Sequence, residues 1–252
     1  MLYRFNWLLV CLLIFPVIAY SATASNSSFK AEILKREAAF NQNNSISVQD
    51  KKLFAASYIF KLYKLADYQP LWDEKNARSL ITAIENIKND GLTPKDYLHA
   101  ELLSSTHALK EGQLSNTARL DIDLLFSEAY LRAVYNLLVG KVDPESLDSA
   151  FNFSLQLDGD GEDLPMLLQK IQSGQIEQAF DWARPQHRRY RLLKDGLAKY
   201  RAIQADGGWQ PIDNGKTLKP GDSDPRVAQL RKRLSVTGDH NSPVDDSPVY
   251  DE

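Results

Sequence analysis

The residues of this chain that could do chemistry are its acids and histidines. Asp121 with Asp123, and Glu85 with Asp90, are carboxylate pairs of the kind a glycosidase uses, whose two acids must stand ~5 to 9.5 Å apart. A chain with 33 acidic residues produces such pairs by chance, and Asp121 and Asp123 read as exposed on the polar edge of a helix or as caps of a neighbour. The histidines His99, His107, His187 and His240 never fall at the three- or four-residue spacing that puts two on one metal. The acidic, Gly-rich stretch Asp158 to Asp163 invites a calcium reading, but an EF-hand starting at Asp158 needs glycine where Asp163 stands and an acid where Gln169 stands. It reads as a solvated turn. Cys11 is the one cysteine and lies in the apolar N-terminus, so a chain processed beyond it has no thiol nucleophile and no disulfide. The sequence also lacks a P-loop, a dinucleotide Gly motif and a G-x-S-x-G elbow. No catalytic, cofactor-binding or metal-binding residue is assigned, and no cofactor is expected.

The elements that would position these residues are helices. After Lys51 the spacing of Leu53, Phe54, Ala56, Tyr58, Phe60 and Tyr63 predicts a half-buried helix, which Tyr68 to Trp72 breaks because Pro70 cannot continue it. Trp72 reads as a core anchor rather than a ligand platform. Asn76 to Asp90 carries Leu80, Ile81, Ile84 and Ile87 on one face and ends at Gly91; Thr93-Pro94 starts a partner helix running toward Leu109. Thr117 to Val139 is the longest predicted helix, apolar around most of its second half, as suits a central helix. Arg119, Asp121, Asp123, Glu128 and Arg132 exclude a membrane span there. Phe151 to Gln156 is a modest strand candidate. Helices then follow over Leu164 to Gln172 and Gln175 to Trp182, and Pro185 precedes another that runs to Ala205. The last repeats Tyr190, Leu193, Leu197 and Tyr200 and sets Arg188, Arg189, Lys194 and Lys199 on its other side, either as a solvated face or toward an anionic polymer. Thr217 to Asp239 holds a well-marked short helix, with Asp224 and Pro225 at its start, Val227, Leu230 and Leu234 on one face and Gly238 at its end.

The N-terminus has Arg4, an apolar run from Trp7 to Ala19 and small residues at Ala22 and Ala24, the order of a secretory signal cleaved after Ala24. The run is short of the ~20 residues that cross a bilayer and is interrupted by Pro16, so a cleaved signal is preferred to an anchor. Val10 before Cys11 argues against lipid attachment. Removing 24 of the 252 residues leaves 228, with 29 basic against 33 acidic groups and a net charge of −4. That mild acidity speaks against a nucleic-acid partner. Ser25 to Asp50, rich in Asn, Ser and Gln around Ala31 to Phe40, reads as a tether with a loosely held helix.

Several of these segments together resemble one family, the large YcbB-type L,D-transpeptidases of Gram-negative bacteria. The carrying residues are Tyr68 to Trp72, Asp90 to Tyr97, Tyr130 to Pro144, Tyr190 through Tyr200 into Gly207-Gly208-Trp209, and the stretch from Leu218 to Asp239. The resemblance covers nearly all of residues 50 to 239, and it implies a mainly α fold. An irregular multi-helix scaffold domain is expected over 50–206, with 1–24 as signal peptide, 25–49 as flexible tether and 207–219 as linker. Residues 220–252 are expected to be the start of an incomplete helical peptidoglycan-binding-like module, with 240–252 disordered. The family's complete enzyme joins peptidoglycan stem peptides through 3,3 linkages by a cysteine acyl-enzyme. Its histidine and S-H-G-C signature does not occur in this sequence, so no catalytic residue is carried over. The expectation is the non-catalytic N-terminal part of a periplasmic L,D-transpeptidase, with peptidoglycan, the cell-wall synthesis machinery and the missing transpeptidase domain as partners. Membrane contact is expected only through an uncleaved signal. The alternatives are a stand-alone periplasmic scaffold or murein-binding protein, and a helical glycan hydrolase.

Overall fold

The computed structural model describes residues 17–112, 114–142, 157, 162–240 and 245–251, with side chains from residue 27 onward. Within these residues the protein is mainly helical, with nine α-helices and two short strands. The chain divides into two compact units, one running up to Lys88 and from Leu92 to Pro185, the other made of Asn89–Gly91 and Gln186 onward. Among the described residues no helix is long and apolar enough to cross a membrane.

The first unit contains α1 (Val17–Asn43), the hairpin β1 (Ser47–Val48) and β2 (Lys51–Lys52), α2 (Ala56–Leu65), α3 (Glu74–Asn86), α4 (His99–Glu111), α5 (Asn116–Leu138), α6 (Asp163–Gln172) and α7 (Ile176–Ala183). It is organised around α5, whose every residue from Ile122 to Leu131 is buried. A helix buried on all sides needs neighbours on all sides, and α1, α2, α3, α4 and α7 all pack on it. Aromatic rings link the layers: Trp72 lies 5.6 Å from Phe126 and 5.7 Å from Tyr130, which stacks on Phe180 at 6.2 Å. Trp72 is a core residue, as its sequence setting predicts. The chain enters α3 through a capping box, Asp73 accepting from the Asn76 N–H while the Asn76 side chain accepts from the Asp73 N–H.

Several expectations are corrected here. Residues 25–49 are not a flexible tether. α1 extends to Asn43 and runs through Ala24; Phe29 and Ile33 are 2 % and 0 % exposed, and Arg36 pairs with Asp121 at 2.6 Å. Phe29, Ile33, Arg36 and Phe40 recur at four and three residues, so from Phe29 onward a single narrow stripe seats a helix whose other faces are mostly polar. The helix expected to begin after Lys51 begins at Ala56 instead. Gln49 and Asp50 both have positive φ (48° and 61°), as a two-residue hairpin turn of type I′ requires, and Lys51 returns along Val48. The partner helix after Thr93 is likewise split, because Leu98 takes a left-handed conformation (φ 56°) between a 3₁₀ turn at Pro94–Tyr97 and α4. Residues 143–156 and 158–161, which hold the strand candidate and most of the acidic Gly-rich turn, lie outside the described residues.

The second unit contains α8 (Arg188–Ala205) and α9 (Arg226–Thr237). No residue of α8 is buried, and Leu193 of its predicted apolar face is 73 % exposed. Gly207 and Gly208, both with positive φ, turn the chain so that Trp209 meets the Tyr200 ring edge-on at 6.2 Å, while the Arg233 guanidinium sits 3.5 Å from the Trp209 ring centre. Asp224 accepts from the Arg226 N–H at 2.9 Å, and Gly238 closes α9 in the left-handed region (φ 78°), both as the sequence predicts. The expectation that 240–252 is disordered fails for its described part. Ser223 bridges to Val249, and Tyr250 donates to the Asp222 carbonyl at 2.8 Å and its own carbonyl accepts from Gly221 at 2.7 Å. Arg231 supplies the reason, donating to Asp245, Asp251 and the carbonyls of Ser247 and Val249. A polar, Pro-containing stretch needs no helical period when one guanidinium satisfies its acceptors.

Candidate functional site

The two carboxylates of α5 that sequence spacing pairs are not brought to one site. Residues two apart on a helix point to different sides, and here one faces out and the other in. Asp121 is half-buried and pairs with Arg36. Asp123 is fully buried, which overturns the first of its two expected readings, exposure on the polar edge of the helix, and leaves the second, the capping of a neighbour. Its Oδ1 accepts from the Tyr63 hydroxyl at 2.7 Å and from the Leu71 N–H at 3.0 Å, and its Oδ2 from the Trp72 N–H at 3.1 Å. Arg119 approaches to 3.8 Å and donates to the Trp72 carbonyl. Burial pushes the Asp123 carboxyl up to about 6, against the pull of Tyr63, Arg119 and the two backbone donors, and burial also raises the Tyr63 phenol. A carboxylate that accepts three hydrogen bonds and has no exposed surface meets no substrate. Its chemistry is structural: it satisfies the two N–H groups that the chain break at Pro70 leaves without helical partners, and so fastens Leu71 and Trp72 against α5.

Glu128 lies five residues, about one and a half turns, further along α5, also without exposure. Its Oε2 accepts from the Ala55 N–H at 2.9 Å, just ahead of α2, where the helix presents unpaired donors. Its Oε1 is buried with no hydrogen-bond partner among the described residues. Burial raises its carboxyl, opposed by the backbone donors of Ala55 and Phe54 and by the charge of Arg132.

Above this acid the surface opens. A groove of about 450 Å³ is walled by Phe54, Tyr58, Leu131, Arg132, Tyr135 and Leu157. Phe54 is 65 % exposed, contrary to its expected place on a buried helical face, because it precedes α2 rather than belonging to it. The Arg132 guanidinium lies 4.7 Å from its ring centre and the Lys52 ammonium 5.5 Å. Lys141, at the rim, is held by Asp96 at 2.6 Å. A second, comparably sized cleft between α3 and α4 carries Arg78, Glu85, His107 and Lys110. Arg78 there is paired with Glu74, Glu85 with His99 and His107 with Glu111. Asp90, sequence partner of Glu85, instead accepts from the Tyr190 hydroxyl at 2.6 Å and Lys194 at 2.7 Å. His187 caps α8 through the Tyr190 N–H. Among the described residues no group of three His, Cys, Asp or Glu side chains is placed to hold a metal ion.

Sequence reasoning used Glu128 and Arg132 only to exclude a membrane span. The available signal was two charges in an otherwise apolar helical run; the role of Phe54, which comes from elsewhere in the chain, had none. A family model described as Scaffold domain, a domain that occurs in L,D-transpeptidases, matches residues 57–197, more than half of the chain and a stretch from α2 into α8. No curated protein and no solved structure gives a match.

Proposed function

This chain belongs to the Scaffold domain family, and from that premise we propose that it is the non-catalytic scaffold of a periplasmic L,D-transpeptidase of the YcbB type, serving 3,3 cross-linking of peptidoglycan. The match over residues 57–197 carries the reading. The buried acids agree with it, since Asp123 is spent on the fold and Glu128 caps α2. The order of apolar run and small residues ahead of Ser25 supports export, and the capped helix over Arg226–Thr237 supports a peptidoglycan-binding-like module after the scaffold. In-frame removal of residues 57–197 in the host, followed by mass spectrometry of muramidase-digested sacculi, is expected to lower the 3,3-linked dimers. An unchanged dimer fraction removes the transpeptidase assignment. The purified chain incubated with tetrapeptide muropeptides is expected to form no dimer; dimer formation would refute the non-catalytic part.

A second reading, a stand-alone murein-binding protein, is favoured by the open aromatic and cationic groove. Co-sedimentation of the chain with sacculi tests it, and failure to pellet eliminates it.

A further inference from the structure

Arg132 is the one groove residue whose charge the described residues leave unanswered. It is partly buried, donates no hydrogen bond and pairs with no carboxylate among them; its recorded partner is the face of the Phe54 ring. Glu128, one turn back on α5, feels its charge but forms no ion pair with it and spends Oε2 on Ala55. A planar guanidinium has five donors in a fixed fork, and stacking on a ring uses its face while leaving the in-plane donors for an acceptor. Those donors border a groove whose other described walls are mainly the aromatic Phe54, Tyr58 and Tyr135 and the apolar Leu131 and Leu157, with Asn136 beside them and no carboxylate among the described lining residues. Lys141 adds a cation at the rim. Such a groove lies in the size range of small-ligand sites, ~300–1,000 Å³.

We infer that this groove binds the free C-terminus of a short peptide with an apolar last residue, the carboxylate taken by the Arg132 fork and the apolar side chain lying against Phe54, Tyr135 and Leu131. Charge complementarity selects the anion, since the described lining residues include no acid and their two cations are Arg132, unpaired among the described residues, and Lys141, already held by Asp96. The fork selects a carboxylate, which it meets with two parallel N–H···O bonds. The aromatic and aliphatic walls select the apolar group beside it, and a fully polar anion would leave them uncovered. The inference does not depend on the transpeptidase assignment, and either can fail alone.

The test uses the unmodified full chain and two probes, N-acetyl-alanyl-alanine as free acid and as its C-terminal amide, titrated by calorimetry and followed by amide NMR shifts. The free acid is expected to bind at least roughly ten-fold more tightly than the amide, as loss of a charge-assisted pair implies. Shifts are expected at Phe54, Arg132 and Tyr135. Arg132→Gln should abolish the difference between acid and amide, Arg132→Lys should keep part of it, and Tyr135→Ala should weaken both probes while the acid preference stays. Equal binding of acid and amide overturns the proposal, as do absence of binding by the acid and shifts confined to other faces. The comparison of probes on the unmodified protein stands even where a variant misfolds.

Discussion

Asp123 carries the clearest pH signature of any residue described. Its carboxyl titrates at about 6 in the fold against 3.8 for an ordinary aspartate, so between these values the native state keeps a proton that the unfolded state has lost. Its contribution to stability is therefore fully present below about pH 4 and is lost as the pH rises through about 6, a swing on the order of 3 kcal/mol at ~1.4 kcal/mol per unit. Urea denaturation of the protein and of Asp123→Asn should show the substitution costing more at pH 4.5 than at pH 7.5; a constant or reversed difference would mean that Tyr63 and the two N–H donors outweigh burial. Glu128 makes the complementary case. Glu128→Gln keeps an acceptor for Ala55 and removes a buried charge, so its unfolding free energy should stay within ~1 kcal/mol of the parent, whereas Glu128→Ala orphans that N–H and should cost ~1–3 kcal/mol. Neither acid's role was legible from spacing. Sequence shows that Asp123 shares a helix with Asp121 but not that the chain around Leu71 and Trp72 returns to it with two open N–H groups.

At the scale of elements, helical periodicity was enough wherever apolar residues dominated one face. It located α5, α6, α7, α8 and α9 to within a residue or two; for α3 it placed the start two residues late and the end four residues too far, where a 3₁₀ turn over Ile87–Asp90 follows the helix. It failed where composition hid the stripe or where the backbone took positive φ. The Asn- and Ser-rich surroundings of α1 concealed Phe29 and Ile33, and the turns at Gln49–Asp50 and Leu98 fall on residues with no glycine to announce them. Substitution measures the first of these directly. Ile33→Ala should cost ~2–5 kcal/mol in denaturant unfolding, and Leu34→Ala, at an exposed position, less than ~1 kcal/mol. Equal, small effects would restore the tether. The segment from Asp245 to Asp251 depends on one side chain, so Arg231→Met should lose hydrogen-exchange protection at the Tyr250 amide while α5 keeps its own. Protection retained at Tyr250 would show that the strand bridge holds without the guanidinium.

For the whole molecule, the two units differ in what holds them. The first has a continuous apolar core from Phe29 to Ala183; in the second, Val227 is the one buried apolar side chain among the described residues, and ion pairs and ring contacts do most of the joining. Hydrogen exchange should therefore open α8 and α9 at lower denaturant than α3 and α5, and simultaneous opening would contradict the division into units. The mainly helical character was legible because most elements bury one stripe. The placement of Asn89–Gly91 with the second unit was not, since nothing local distinguishes that turn from others after a helix. The seating of α1 has a bearing on time as well as on stability. Arg36 and Asp121 are separated by 85 positions, and Phe29 and Ile33 enter a core that α5 must complete. α1, which precedes the other described helices in the chain, is thus among the last of them to be secured, because closing so long a loop precedes any reward for it. A chain that has to stay unfolded while it is carried across a membrane, as the proposed export requires, is helped by an N-terminal segment that cannot settle until its partner helix has followed it through.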